Sequence, residues 1–135
     1  MRYLLDTHVL IWALSSPGKL PKDLRTELED PANDVFASAA STWEIAIKGA
    51  LGKIQANVEK VIDSCRSSDL EELPVRMSHT ARVSALPRHH HDPFDRLLIA
   101  QALEEGLTIA TRDDAFEAYG VPVRWREESG GLGPG

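Results

Sequence analysis

Four acidic residues, Asp6, Glu44, Asp95 and Asp113, each stand at or shortly after the place where an apolar strand is expected to end, or in the first turn of the helix that follows. In a parallel sheet the carboxyl ends of the strands lie along one edge of the fold, so residues far apart in the chain meet there. Carboxylates gathered in this way repel one another and stay ionised together only at a cost, which a bound cation relieves. Hard oxygen donors of this kind suit Mg²⁺ or Mn²⁺, ions that keep several waters and bridge to a substrate phosphate. No Cys or His spacing of the zinc type competes with them.

Each acid also has a plainer reading. Ser41-Thr42-Trp43-Glu44 has the pattern of a capping box, which would make Glu44 a helix-start device. Asp92 directly precedes Pro93 and reads as an N-cap rather than a ligand. Asp95 would complement the dipole of the same helix. Asp113 and Asp114 follow Thr111, another plausible cap, and either could be a solvated first-turn acid. Asp6 is the hardest to dismiss, because a charge placed directly after a buried apolar strand is costly unless capped, paired or metal-bound. The joint placement of the four favours the metal.

The elements that must position these side chains follow from apolar periodicity and punctuation. Residues 3–5 read as a first strand, followed by a helix over 7–14 that Pro17-Gly18 ends. Residues 20–30 predict a second helix with a wet outer face, and 35–39 a second strand. A helix opening at Ser41 carries Ile45, Ile47, Leu51 and Ile54 as its apolar positions. Asn57 caps a helix reaching Ser67, residues 70–75 suggest an edge strand because Pro74 cannot donate to a central ladder, and Ser78 caps a short helix to Leu86. The Asp92-Pro93 start leads into a helix that Gly106 stops, and Leu107-Thr108-Ile109-Ala110 has the β-branched character of a buried strand. A helical turn to Tyr119 and a short strand over 121–125 complete a single domain over 1–127, with a disordered tail expected over 128–135. Strands alternating with helices imply a mainly parallel sheet covered on both faces.

Composition limits the alternatives. With 135 residues the chain can bury a core as one domain. The single cysteine, Cys65, excludes an intrachain disulfide. The start of the chain is too soon interrupted by charge to be a signal peptide and no apolar run approaches membrane-spanning length, so a cytoplasmic protein is expected. The net charge of −6 argues against a uniformly basic nucleic-acid surface. It leaves room for an enzyme that neutralises phosphates through bound cations.

Leu4-Leu5-Asp6-Thr7-His8, Ser41-Thr42-Trp43-Glu44-Ile45, the run from Asp92 to Ala102 (DPFDRLLIAQA) and Thr111-Arg112-Asp113 together resemble PIN-domain proteins, specifically the VapC-like ribonuclease toxins of type II toxin–antitoxin modules. The resemblance extends from Met1 to about Trp125. It implies a three-layer α/β/α sandwich and an acidic quartet at Asp6, Glu44, Asp95 and Asp113, with Asp6 and Asp95 as the principal Mg²⁺ ligands, Mn²⁺ being able to substitute. It further implies endonucleolytic cleavage of single-stranded or loop RNA by a metal-activated water. Arg96, Arg112 and Lys48 are candidates for phosphate contact, with surface ion pairing as their alternative. Thr7 and Thr111 are candidates for orienting metal-bound water, with capping as theirs. The implied partners are a cognate antitoxin threading a segment across the acidic cleft and a second copy of the chain, DNA being reached only through the antitoxin. Trp12, Trp43 and residues 21–30 could join such interfaces, although tryptophans in such positions are more often core.

Two other function classes deserve a place beside this one. A phosphate-accepting regulator of the flavodoxin-like type also gathers acids at strand ends, but it requires a late lysine and no lysine follows Lys60. An interaction protein that kept the fold and lost the activity is disfavoured by the presence of all four acids. The run His89-His90-His91 reads as an exposed loop rather than a metal site, since three adjacent imidazoles cannot all face one ion in regular structure.

Overall fold

In the computed structural model, which describes residues 1–125, five strands form one parallel sheet in the order β3-β2-β1-β4-β5. The strands are β1 (Arg2–Leu5), β2 (Asp34–Ser38), β3 (Glu71–Leu73), β4 (Thr108–Ala110) and β5 (Val123–Arg124). The helices are α1 (Thr7–Ser15), α2 (Lys22–Glu29), α3 (Ala39–Ala50), α4 (Val58–Ser67), α5 (Met77–Ala85) and α6 (Pro93–Glu105), with 3₁₀ turns at Pro17–Lys19 and Asp114–Tyr119. The expected tail lies outside the described residues.

β1 sits at the centre, pairing Tyr3 with Val35 of β2 and Leu4 with Ile109 of β4. Side chains that alternate along each strand feed two separate cores. Leu4 and Ile109 join Leu98, Ile99, Phe116 and Val121 on one face, while Leu5, Val35 and Ala110 join Val9, Leu24 and Ile45 on the other. Both faces of the sheet are therefore roofed by helices, and the fold is the expected α/β/α sandwich. The chain lays β2 and β3 on one side of β1, then places β4 and β5 on the other. The sheet order reverses between β1 and β4, and at such a switch point the loops diverge and leave a crevice at the carboxyl ends of the strands.

The helix starts differ from expectation in two places. α3 begins at Ala39, and its cap is Ser38, whose Oγ accepts the Ala40 N–H at 2.9 Å. The capping box at Ser41 to Glu44 does not form, because β2 passes into the helix with no intervening loop and these residues already lie within it. Ile47 and Leu51, expected to be apolar anchors of that helix, are instead exposed. At α5 the cap position is Arg76 rather than Ser78, and its N–H is accepted by His79 Nδ1 at 2.9 Å. The starts of α4 and α6 follow the sequence, with Asn57 accepting from the Lys60 N–H and Asp92 from those of Phe94 and Asp95. α6 ends on Gly106 at φ +69°, a conformation that favours glycine.

Gln101, in the middle of α6, ties three elements together in the interior. Its Oε1 accepts the Ser38 hydroxyl at 2.5 Å, and its Nε2 donates to the Pro74 carbonyl at 3.2 Å. It is fully buried, as is its neighbour His79, whose Nε2 lies 2.9 Å from Glu105. Replacing Gln101 by Leu keeps the volume but strands the Ser38 hydroxyl and the Pro74 carbonyl in the interior, a loss of about 1–3 kcal/mol. Urea denaturation of Gln101→Leu should show a lower midpoint by that amount, and an unchanged midpoint would mean the network contributes nothing.

Candidate active site

Asp6 follows β1 immediately and opens α1. Its Oδ1 accepts the Val9 N–H at 2.8 Å and its Oδ2 accepts the Thr111 hydroxyl at 2.5 Å. Thr111 is the first residue after β4, and the Asp6 N–H donates to Ala110 O at 3.1 Å, so the two strand ends are stitched together at the switch point. Asp6 is only 7% exposed, and this burial pushes its carboxyl pKa up, against the Thr111 and Val9 hydrogen bonds that pull it down.

Glu44 reaches the same crevice from one and a half turns into α3 and is 3% exposed. Its Oε1 lies 2.6 Å from the Thr7 hydroxyl, which is 3.1 Å from Ser41 Oγ, and its Oε2 is 2.6 Å from Lys48 Nζ. Lys48 continues to Asp92 at 3.4 Å. That ammonium is the internal counter-charge of the cluster, and its pKa is raised by the Glu44 hydrogen bond and by the charges of Glu44 and Asp92.

The two acids at the start of α6 divide cleanly. Asp92 is the cap: burial alone would raise it, but the Asp95 N–H, the Lys48 charge and the Phe94 N–H hold it below the usual carboxylate range. Asp95, one turn on, has no such donors, and its carboxyl is pushed up to about 7 by burial and by Asp92, with smaller contributions from Asp6 and Glu44 and opposition from His90. Asp113 caps the following 3₁₀ turn through the Ala115 N–H, while its other oxygen, Oδ2, lies 3.2 Å from His90 Nε2. Asp95 feels the charges of Asp6 and Glu44 and shares His90 with Asp113, so the four acids lie towards one edge of the sheet, Asp6 and Glu44 buried and Asp113 half exposed. The group whose ligand atoms come within 4.8 Å of one another among the described residues is Asp95, Asp113 and His90.

His90 departs from the exposed-loop reading of the His89-His90-His91 run: it is half-buried and faces the acids. Its Nε2 is 3.2 Å from Asp95 as well as from Asp113. Its Nδ1 accepts the Asp92 N–H at 3.2 Å, and its backbone N–H donates to the Tyr119 hydroxyl at 2.7 Å. With Nδ1 accepting, the neutral ring carries its proton on Nε2 and directs it at the two carboxylates. Ligand atoms of His90, Asp95 and Asp113 lie within 4.8 Å of one another, and His90 could join the two carboxylates on an ion only after losing that Nε2 proton. The signal in the sequence was the position two residues before the Asp92 cap, which only the folded loop turns inward.

The remaining candidates separate. Thr7 and Thr111 both hydrogen-bond the acids directly. Arg96 does not point its charge at the crevice: its guanidinium donates to the carbonyls of Val83, Leu86 and Pro87 and to the Tyr119 hydroxyl, so it neither pairs with an acid nor offers itself to phosphate. Arg112 is exposed, with its guanidinium 6.0 Å from the Trp125 ring centroid. Trp12 is partly buried between Trp125 and Lys19, whereas Trp43 is 56% exposed and is not core.

A parallel α/β/α sandwich with an acidic crevice at its switch point defines the class. Residues 3–122 match the PIN domain model, and the chain belongs to the PIN-domain family. It is 27% identical to Ribonuclease VapC22 of Mycobacterium tuberculosis over 121 residues, which cover 88% of this chain and 92% of that protein. Among solved structures, VapBC2 from Rickettsia felis bound to a promoter DNA fragment superposes with a TM-score of 0.70 at 18% identity, covering 93% of this chain and all of that one. DNA-bound VapBC from Salmonella typhimurium gives 0.68 at 17% identity, covering 92% and 97%. No helix among the described residues is long and apolar enough to cross a membrane.

The raised Asp95 carboxyl has a consequence for stability. Between about pH 4 and 7 the folded protein holds a proton that the unfolded chain has lost, so Asp95 destabilises the metal-free fold progressively as pH rises through that window. In thermal melts in EDTA, Asp95→Asn should gain stability over the wild type as pH goes from 4 to 7. A difference between the two that is constant with pH would show that Asp95 ionises normally.

Proposed function

We propose that this protein is a Mg²⁺-dependent endoribonuclease, the toxin of a type II toxin–antitoxin module, with Asp6, Glu44, Asp95 and Asp113 as its active site. The observation that carries this reading is the gathering of four carboxylates from four separate segments at one edge of the sheet, where one of them is driven towards protonation by burial and by its acidic neighbours. The donor set fits a divalent ion: oxygens from Asp6, Glu44, Asp95 and Asp113 retain lone pairs beyond their present hydrogen bonds, and hard oxygen donors suit Mg²⁺ or Mn²⁺. When bound, such an ion lowers the pKa of an attacking water and neutralises charge on the scissile phosphate.

The residues of the chain have distinct tasks in this scheme. Asp6 and Asp95 are the principal ligands, with Glu44 and Asp113 completing the set directly or through water. Thr111 fixes the Asp6 carboxylate by donating to Oδ2, and Thr7 does the same for Glu44. Lys48 limits the repulsion within the cluster and stands where a phosphate oxygen would also be attracted. Arg112, exposed one residue from Asp113, is the other cation available for the RNA backbone. Arg96 is reserved for holding the loop before α6. Such a crevice makes few base contacts of its own, which suits single-stranded or loop RNA whose backbone can enter it.

The relatives supply the biological setting. One is named as a ribonuclease, and two solved structures are of VapBC complexes. By that likeness the partners are a cognate antitoxin and a second copy of the toxin, DNA is contacted through the antitoxin, and the compartment is the cytoplasm. Wild-type protein should cleave a single-stranded oligoribonucleotide in Mg²⁺ or Mn²⁺ and lose that activity in EDTA. Asp6→Asn and Asp95→Asn should each cost about 100-fold or more while retaining the wild-type circular dichroism. Robust cleavage in chelator, or cleavage by both variants at the wild-type rate, would reject the site.

A further inference from the structure

Beside the acidic crevice stands a pair of aromatic rings that the proposed chemistry does not use. Trp43 precedes buried Glu44 on α3, and Phe94 precedes Asp95 on α6. Their ring centroids are 4.9 Å apart at an interplanar angle of 69°, an edge-to-face contact that bridges the two helices. Lys48 Nζ lies 5.5 Å from the Phe94 centroid while bonding Glu44 and Asp92. More than half of the Trp43 surface faces solvent, although tryptophan is a residue that folding normally removes from water. In an edge-to-face pair, the ring that offers its edge keeps both of its faces clear of the partner.

We propose that Trp43 and Phe94 form a stacking platform for a nucleobase of single-stranded RNA, next to the phosphate that the acids act on. This inference rests on the ribonuclease reading and adds the substrate contact which that reading lacks. Stacking on an aromatic ring holds bases of any identity, and it requires a base that is not already paired, which selects single-stranded over duplex substrate. Proximity supports the assignment: Lys48 lies over the Phe94 ring and pairs with Glu44 and Asp92, so a base seated on the ring pair brings its own backbone phosphate towards Lys48 and the acids. Among the cations beside the acids, Lys48 is already paired and Arg96 is occupied by carbonyls, which leaves exposed Arg112 for the backbone and gives uncharged contacts a larger share of the affinity for RNA.

The rival occupant is protein. Trp43 and Ile47 on α3 and Leu51 at its C-cap recur every four residues, and all three are exposed, so the face could instead receive an apolar helix. Substitutions separate the two. With a single-stranded oligoribonucleotide, Trp43→Ala should raise KM about tenfold with little change in kcat, Trp43→Phe should recover most of the loss, and Trp43→Leu, which keeps apolar area without a π face, should not. Leu51→Ser should behave as wild type. Binding measured in Ca²⁺ should show the same order, and an oligonucleotide with a single abasic site at the stacked position should bind wild type and Trp43→Ala equally. Wild-type KM in Trp43→Ala and in Trp43→Leu would overturn the platform and assign the face to a protein partner. Failure of the wild type itself to bind or cleave RNA would overturn the ribonuclease reading along with it.

Discussion

The constraint behind most of this architecture is that two carboxylates, Asp6 and Glu44, are buried almost completely at the edge of a parallel sheet. A buried charge is costly unless it is hydrogen-bonded or paired, and here the supports come from every direction. Asp6 is held by a helix-start N–H and by the hydroxyl of Thr111, which stands on the neighbouring strand end. Glu44 is held by the hydroxyl of Thr7 and by Lys48 one turn along its own helix. These contacts require β1 and β4 to be adjacent and α1 to run beside α3. The sheet order and the site are therefore consequences of each other.

Helix starts do much of the remaining electrostatic work. α1, α3 and α6 begin with caps at Asp6, Ser38 and Asp92, and their amino ends carry partial positive charge. α1 and α3 begin where β1 and β2 end, while α6 brings its first turn to the same edge. Within that first turn Asp92 takes the N–H donors and is held ionised, which leaves Asp95 exposed to the field of the other acids. Two carboxylates three residues apart thereby acquire opposite tendencies, Asp95 raised first by its burial and then by Asp92, Asp92 lowered by the helix-start N–H groups and the Lys48 charge.

Much of this was legible from the residues. The strand at residues 3–5, the Asp92-Pro93 start, the Gly106 stop and the edge character of the strand before Pro74 all follow from local chemistry that the fold leaves undisturbed. What was not legible depends on tertiary placement. Ser41 to Glu44 has every local property of a capping box, but Ser38 caps first, and the pattern is carried into the helix interior where Ser41 packs against Thr7. Ile47 and Leu51 follow the helical period of an apolar face that, in this chain alone, nothing covers. Arg96 looked like a surface cation because its partners are backbone carbonyls, which no side-chain pattern announces.

His90 shows the same limit most sharply, and it bears on how the crevice tolerates its own charge. A run of three histidines next to Arg88 is locally an exposed polar loop, and His89 and His91 remain exposed. His90 differs because the loop is fastened at both ends of that residue: its backbone N–H to Tyr119, its Nδ1 to the Asp92 N–H, with the ring edge-on to Phe116 at 5.8 Å. The fastening leaves only Nε2 free to face Asp95 and Asp113. Lys48 plays the corresponding part for Glu44 and Asp92 on the opposite side. Two nitrogens, from a loop and a helix that share no sequence motif, thus each stand against two acids and limit their repulsion, while Asp6 relies on the Val9 N–H and the Thr111 hydroxyl.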